Sequence, residues 1–241
     1  MDSQEPYHVS IGQAITLFIL SSLSFILGTM VITYVGGYCF KLSSGDTTIA
    51  VNPPSTGSGH KVSKFGADVV LISTEHPDWN GEETASLGNK EPFVVRSPGA
   101  YEVGDMVIHG YASEGAMGRE TSPFGNTVYM VDFDGMKVLV LGALSSGKLS
   151  QEARADIDSV DIVFVPVGGE TLDAKKAHEL VVSLEPKLVI PYAVGLSGQG
   201  KENDLKEFIE TEGAKGLKPV EKLTLRAKEV MAMNGEIALL K

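Results

Sequence analysis

The stretch Val69-Val70-Leu71-Ile72-Ser73-Thr74-Glu75-His76-Pro77-Asp78-Trp79-Asn80 decides how this chain is read. Val69 to Ile72 is an uninterrupted apolar run rich in β-branched side chains, the pattern of a strand buried on both faces. The polar residues behind it form the loop at the strand's C-terminal end, where α/β proteins place their binding groups. His76 and Asp78 are metal-competent side chains within that loop. Of the residues that flank them, Trp79 offers only an indole N–H donor, whereas the Thr74 oxygen, like Glu114 and Asn52, suits a harder ion such as magnesium or manganese.

Short strand-like runs precede and follow this element: Val31 to Val35, Cys39 to Leu42, Thr48 to Val51, Phe93 to Arg96, Tyr101 to Val103, Met106 to Tyr111, Thr127 to Phe133, Lys137 to Leu141, Ile162 to Val165 and Leu188 to Pro191. Helical patterns cover Ser150 to Asp156, Asp173 to Leu184 and Asn203 to Glu212. In the second, Ala174, Ala177, Leu180, Val181 and Leu184 form one apolar stripe, and His178 falls off it as a solvated residue. Asp132, Asp134 and Gly135 read as a hairpin turn, since a calcium loop needs more carboxylates at regular spacing. Lys222 to Arg226 and Glu236 to Leu240 are expected to close the chain as a hairpin around Asn234-Gly235. Gly195 to Lys201 lacks the spacing and the Lys-Ser/Thr ending of a phosphate loop, and Val167-Gly168-Gly169-Glu170 puts an acid where an anion would sit, so both read as turns.

Composition sets bounds on partners. The chain has 241 residues, 43% of them hydrophobic, enough for one substantial core in one globular domain. Its net charge of −11 and the lack of a Lys/Arg cluster argue against a nucleic-acid surface. The single cysteine, Cys39, excludes an internal disulfide and reads as core rather than nucleophile.

Beyond the first loop, Ile32-Thr33-Tyr34-Val35-Gly36-Gly37-Tyr38-Cys39-Phe40, Asn52-Pro53, Pro98-Gly99-Ala100-Tyr101-Glu102-Val103, Asn126-Thr127-Val128-Tyr129, Val165-Pro166-Val167-Gly168-Gly169 and Glu185-Pro186-Lys187-Leu188-Val189-Ile190-Pro191 follow in order. With the 69–80 stretch they resemble the small Zn-dependent hydrolase branch of the metallo-β-lactamase superfamily, from about Met30 to about Val194. The resemblance implies a four-layer αββα sandwich with two mixed β-sheets. It also implies a zinc centre, whose loop in the family reads His-x-His-x-Asp-His, but the ligands do not carry over. Gly37 stands in place of the first-strand histidine, and Thr74 and Trp79 in place of two motif histidines. Glu114 or Gly115 stands in place of the histidine after a later strand, Ala143 in place of the bridging aspartate and Ala193 in place of the last histidine. His76 and Asp78 are the retained positions.

Two functions remain open on this reading. The first is a catalytically degenerate, metal-free homologue of these hydrolases that binds a protein or small molecule, with no cofactor; Trp79 favours it. The second is a metal-dependent hydrolase with a site rebuilt around His76, Asp78, Glu114 and His60, using zinc or manganese. In the first, His76 and Asp78 serve the loop itself, the Asp carboxylate capping N–H groups after Pro77.

The N-terminus adds a separate expectation, residues 1–29 being an extension and residues 30–241 the domain. Residues 11–28 are apolar and almost free of charge, near the lower length limit for a membrane-spanning helix. Asp2 and Glu5 with no Lys or Arg before the apolar run disfavour a secretory signal. The lysines that follow, Lys41, Lys61 and Lys64, would keep the domain cytoplasmic, anchored to the inner face of the membrane. The alternatives are an extension from a start assigned upstream of Met30, or a helix packed on the domain.

Overall fold

A computed structural model describes residues 28–60, 63–115, 125–193 and 202–241. The apolar segment 11–27 and the glycine-rich turn 195–201 lie outside them. Among the described residues, no helix is long and apolar enough to cross a membrane.

Among the described residues, thirteen strands form two sheets. The first sheet holds β1 (Thr29–Gly36), β2 (Cys39–Ser44), β3 (Thr47–Val51), β4 (Val69–Leu71), β5 (Phe93–Val95) and β12 (Lys222–Arg226), in the order β12-β1-β2-β3-β4-β5. The second holds β6 (Gly99–Val103), β7 (Met106–Ser113), β8 (Asn126–Phe133), β9 (Met136–Val140), β10 (Ile162–Val167), β11 (Leu188–Ala193) and β13 (Glu236–Ile237), in the order β13-β11-β10-β9-β8-β7-β6. Both are mixed: β3-β4-β5 and β9-β10-β11-β13 run parallel, and the remaining pairs antiparallel. This is the αββα sandwich expected from the sequence.

The layers follow from alternation along each strand. Ile162 and Phe164 of β10 point into the space between the sheets, where Phe164 meets Phe40 of β2 with ring centroids 4.6 Å apart. Val163, Val165 and Val167 point the other way, onto Ala174, Ala177, Leu180 and Val181 of α2 (Ala174–Leu184) and Phe208 of α3 (Glu202–Thr211). A strand buried on both faces needs such a continuous apolar run. The outer face of the first sheet is covered by a smaller cluster, in which Ala50, Val70 and Ile72 pack on Ala67 and on Ala85, next to the 3-10 turn Glu82–Thr84.

Side-chain caps start two of the helices. Ser150 caps α1 (Gln151–Asp156) by accepting from the Ala153 N–H at 3.1 Å, and Asp173 caps α2 by accepting from Lys176 N–H at 2.8 Å. Asp134 and Gly135 turn β8 into β9 with φ of 55° and 70°, the left-handed pair of a tight hairpin.

Two expectations need correction. The C-terminal strands do not form a hairpin: β12 pairs antiparallel with β1 in one sheet, and β13 pairs parallel with β11 in the other. Between them α4 (Ala227–Met231) buries Ala227 and Val230, so the chain crosses from one sheet to the other through that helix and closes the sandwich. Nor is His178 merely solvated. Its Nδ1 lies 2.7 Å from Glu212 Oε1, tying α2 to the end of α3.

Tyr129 of β8 joins the sheets at one point, its buried hydroxyl donating to the carbonyls of Ile72 at 2.8 Å and Val95 at 3.3 Å. Tyr129→Phe is expected to cost about 1–2 kcal/mol, read as a lower urea midpoint with an unchanged m-value.

Candidate functional site at the strand ends

The loop after β4 begins with a crossed pair of hydrogen bonds. Asn52 is fully buried with φ of 42°, a conformation that asparagine tolerates better than most residues. Its Nδ2 donates to Ser73 Oγ at 2.9 Å, and its Oδ1 accepts from Ser73 N–H at 2.7 Å. The ends of β3 and β4 are thereby locked together by neutral groups.

A second set fixes the turn after β9. Asn126 Oδ1 accepts from Ala143 N–H at 2.8 Å, and its Nδ2 donates to Leu141 O at 2.9 Å and Ser113 Oγ at 2.8 Å. Tyr192 donates its hydroxyl to Gly142 O at 2.7 Å from the end of β11, and burial raises that phenol well above its ordinary pKa. Gly142 has φ of 60°, and a Cβ there would fall 2.4 Å from Ser73 Oγ. Glycine is therefore required at this crossing.

Within the motif loop, His76 and Asp78 exchange the expected roles. The Nδ1 of His76 accepts from the Asp78 N–H at 3.2 Å, and His76 O accepts from Trp79 N–H at 2.9 Å. The imidazole, not the carboxylate, caps the turn. Asp78 O in turn accepts from Ser55 N–H at 3.0 Å, and Pro53 O accepts from Gly81 N–H at 2.9 Å, which pins the loop to the chain leaving β3.

Trp79 enters the interior and is 3% exposed. Its ring makes an edge contact with Tyr38 at 5.5 Å between centroids, and Tyr38 meets Tyr192 at 6.2 Å. Phe40 packs on Tyr192 at 4.9 Å, and Ala143 belongs to the same buried cluster. Gly37, with φ of 56°, lies directly under the indole: a Cβ there would come within 1.9 Å of Trp79 Cη2. Cys39 is buried in this core, and burial pushes its thiol up, as expected of a packing residue.

The positions expected to hold metal ligands are thus distributed as follows. Trp79 and Ala143 belong to the aromatic core, Gly37 lies half-buried under the indole, and Thr74 is buried. Ala193 ends β11 opposite Val167, and Glu114 is exposed with its carbonyl accepting from Ser145 N–H at 3.0 Å. His60 is an exposed residue stacked on Trp79 at 4.5 Å between ring centroids. His76 Nδ1 and Asp78 Oδ2 are 3.9 Å apart, but among the described residues no three His, Cys, Asp or Glu side chains are placed so that they could hold a metal ion. A zinc site uses three or four nitrogen, sulfur or oxygen donors. A cluster of indole, phenol and alanine groups does not fit one.

Sequence reasoning missed the cleft beside the motif loop. It has a volume of about 340 Å³ and is lined mainly by Ser73, Thr74, Arg96, Ser113, Asn126 and Thr127. Arg96 Nη1 lies 3.2 Å from Glu75 Oε2 and its Nη2 2.6 Å from Glu82 Oε2, so two carboxylates surround the one guanidinium and raise its pKa. Among the described residues, the buried side-chain polar atoms without a hydrogen-bond partner are Thr74 Oγ1 and Trp79 Nε1, both on this loop. The hydroxyl and amide residues that line the cleft are scattered through the sequence, and no local pattern announces them.

Comparison with known proteins places this architecture. The profile of the beta-lactamase superfamily domain matches residues 31–193, more than half of the chain. A UPF0173 protein of Pyrococcus abyssi is 23% identical over 217 residues, covering 80% of this chain and 98% of the relative. A UPF0173 metal-dependent hydrolase of Pelotomaculum thermopropionicum is 27% identical over 195 residues, covering 67% of this chain and 83% of the relative. Among solved structures, a proposed Zn-dependent hydrolase of the metallo-beta-lactamase superfamily from Thermotoga maritima superposes with a TM-score of 0.67 at 25% identity, covering 88% of this chain and all of that one. The chain belongs to the metallo-β-lactamase superfamily.

Proposed function

We propose that this chain is a metal-free member of its superfamily that works as a binding protein through its strand-end loops, and not as a metal-dependent hydrolase. The observation that carries the reading is Trp79, buried on Gly37 within a core shared with Tyr38, Tyr192 and Ala143. Hydrolysis on this fold rests on a metal that activates water, and activation needs an open coordination position backed by three protein ligands. Here the corresponding positions hold Gly37, the Thr74 hydroxyl, the Trp79 indole, the exposed Glu114, and the methyl groups of Ala143 and Ala193. His76 and Asp78 retain donor chemistry, yet they spend it within a turn.

The polar groups around the core support the same reading. Asn52, Asn126 and Tyr192 hold the strand ends with neutral hydrogen bonds, so loop geometry needs no ion. The partner is a protein or small molecule that meets these loops. A net charge of −11 disfavours nucleic acid. The charge-poor residues 11–28, followed by lysines, support a cytoplasmic domain held at the inner face of a membrane.

Full-length protein purified without chelator from zinc- and manganese-supplemented medium is expected to carry far less than one ion per chain, with no change in His76→Ala. Roughly one ion per chain, lost in His76→Ala, would restore the metallohydrolase reading. Gly37→Ala is expected to destabilise by about 1–3 kcal/mol through overlap with the indole. In a double-mutant cycle the cost should shrink in a Trp79→Leu background. An equal cost in both backgrounds would mean that the indole does not rest on Gly37.

A further inference from the structure

Two Asn-Gly dipeptides occur in the chain, Asn80-Gly81 and Asn234-Gly235. An asparagine amide is lost most readily before glycine, which has no Cβ to keep its backbone nitrogen away from the preceding side chain. That nitrogen attacks Asn Cγ; a C–N bond forms, the Cγ–Nδ2 bond breaks, and the displaced proton leaves with the amide as ammonia. Water then opens the five-membered imide at either carbonyl. One opening gives aspartate, and the other gives isoaspartate, whose main chain runs through Cβ and Cγ. Local sequence makes the two dipeptides equivalent, and the fold separates them.

Gly81 is buried, and its N–H donates to Pro53 O at 2.9 Å. A Cβ there would fall 2.3 Å from Ser55 Cα and 2.4 Å from Pro54 O, so backbone packs directly against this residue. Asn80 is engaged as well, its Nδ2 donating to Glu75 Oε2 at 3.3 Å. The asparagines that hold the strand ends are protected in other ways. Asn52 precedes Pro53, which has no N–H to give up. Asn126 precedes Thr127, whose N–H donates to Ser73 O at 2.8 Å.

Asn234 and Gly235 are both exposed, and a Cβ on Gly235 would meet nothing within 4 Å. Hydrogen bonds hold the chain up to Met233, whose N–H donates to Val230 O at 3.0 Å, and again from Glu236, whose N–H donates to Lys187 O at 3.0 Å. Among the described residues, the Gly235 N–H between them has no backbone acceptor. Its nitrogen is therefore open to attack on the side chain before it. Position makes the change consequential, because Asn234 lies between α4 and the two-residue edge strand β13. That strand is held to β11 through Glu236 N–H and through Ala238 N–H, which donates to Val189 O at 2.9 Å. An isoaspartyl link lengthens the main chain by one atom immediately before it. We infer that Asn234 is a site of spontaneous deamidation, and that its isoaspartyl form loosens β13 from the second sheet.

The test incubates the full-length chain in mildly alkaline buffer, folded or in urea, and follows each asparagine by peptide mass mapping. In the folded protein Asn234 is expected to convert about tenfold faster than Asn80, or more, the factor that one backbone hydrogen bond adds to a barrier. In urea the two should convert at similar rates. Equal rates in the folded protein, or the same preference in urea, would overturn the assignment of the site to the fold. Aged protein enriched in isoaspartate at position 234 is then compared with Asn234→Asp, which carries the same added charge on an unaltered main chain. The isoaspartyl form is expected to show a lower Tm and faster amide hydrogen exchange at Glu236 and Ala238. Equal Tm and exchange in the two would mean that β13 accommodates the longer chain, contradicting the second half of the inference.

Discussion

The Trp79 indole lies on the bare Cα of Gly37, and the two residues constrain each other and the whole strand-end region. A side chain at position 37 would occupy the volume of the ring, whatever its chemistry. The indole in turn fixes where Tyr38 and, through it, Tyr192 pack. Tyr192 then reaches Gly142 O, which sits where the β9 turn passes Ser73. From one aromatic contact, a chain of packing and hydrogen bonds runs through the ends of β1, β4, β9 and β11. In the function proposed for this chain, apolar bulk and neutral hydrogen bonds join the strand ends without an ion.

That exchange has an energetic logic. A metal centre concentrates positive charge and needs anionic or imidazole donors, which are costly to bury without the ion. Replacing ligands piecemeal would leave some of them buried and unpaired. In this chain the interior positions are occupied by glycine, alanine and aromatic residues, and the remaining donors, His76 and Asp78, are only partly buried and engaged with their own turn. Among the described residues, Thr74 and Trp79 are the exceptions, each with a buried polar atom lacking a partner. They mark the part of the molecule that folding alone does not explain.

Much of the architecture was legible in the sequence because it rests on local patterns. Alternation of inward and outward side chains located the strands, Asp173 announced a helix start, and Asp134-Gly135 announced a hairpin. The residues that stand in place of the family's ligands were also named position by position from the resemblance. What fills the space was not legible. Tyr192 and Gly142 meet across fifty positions of sequence, and Asn52 and Ser73 across 21. Such pairs depend on which strands become neighbours, and no window of sequence contains them. The C-terminal tail failed for the same reason: Asn234-Gly235 makes a turn, but β12 and β13 find different sheets because α4 has apolar side chains to bury on the way.

Trp79 is the chain's only tryptophan, so its fluorescence reports directly on the position where a metal ligand would stand. The account predicts a blue-shifted emission, poorly quenched by iodide or acrylamide, and unchanged when zinc or a chelator is added to the folded protein. An emission typical of a solvent-exposed indole, or one that shifts in proportion to added zinc until one equivalent is bound, would contradict it.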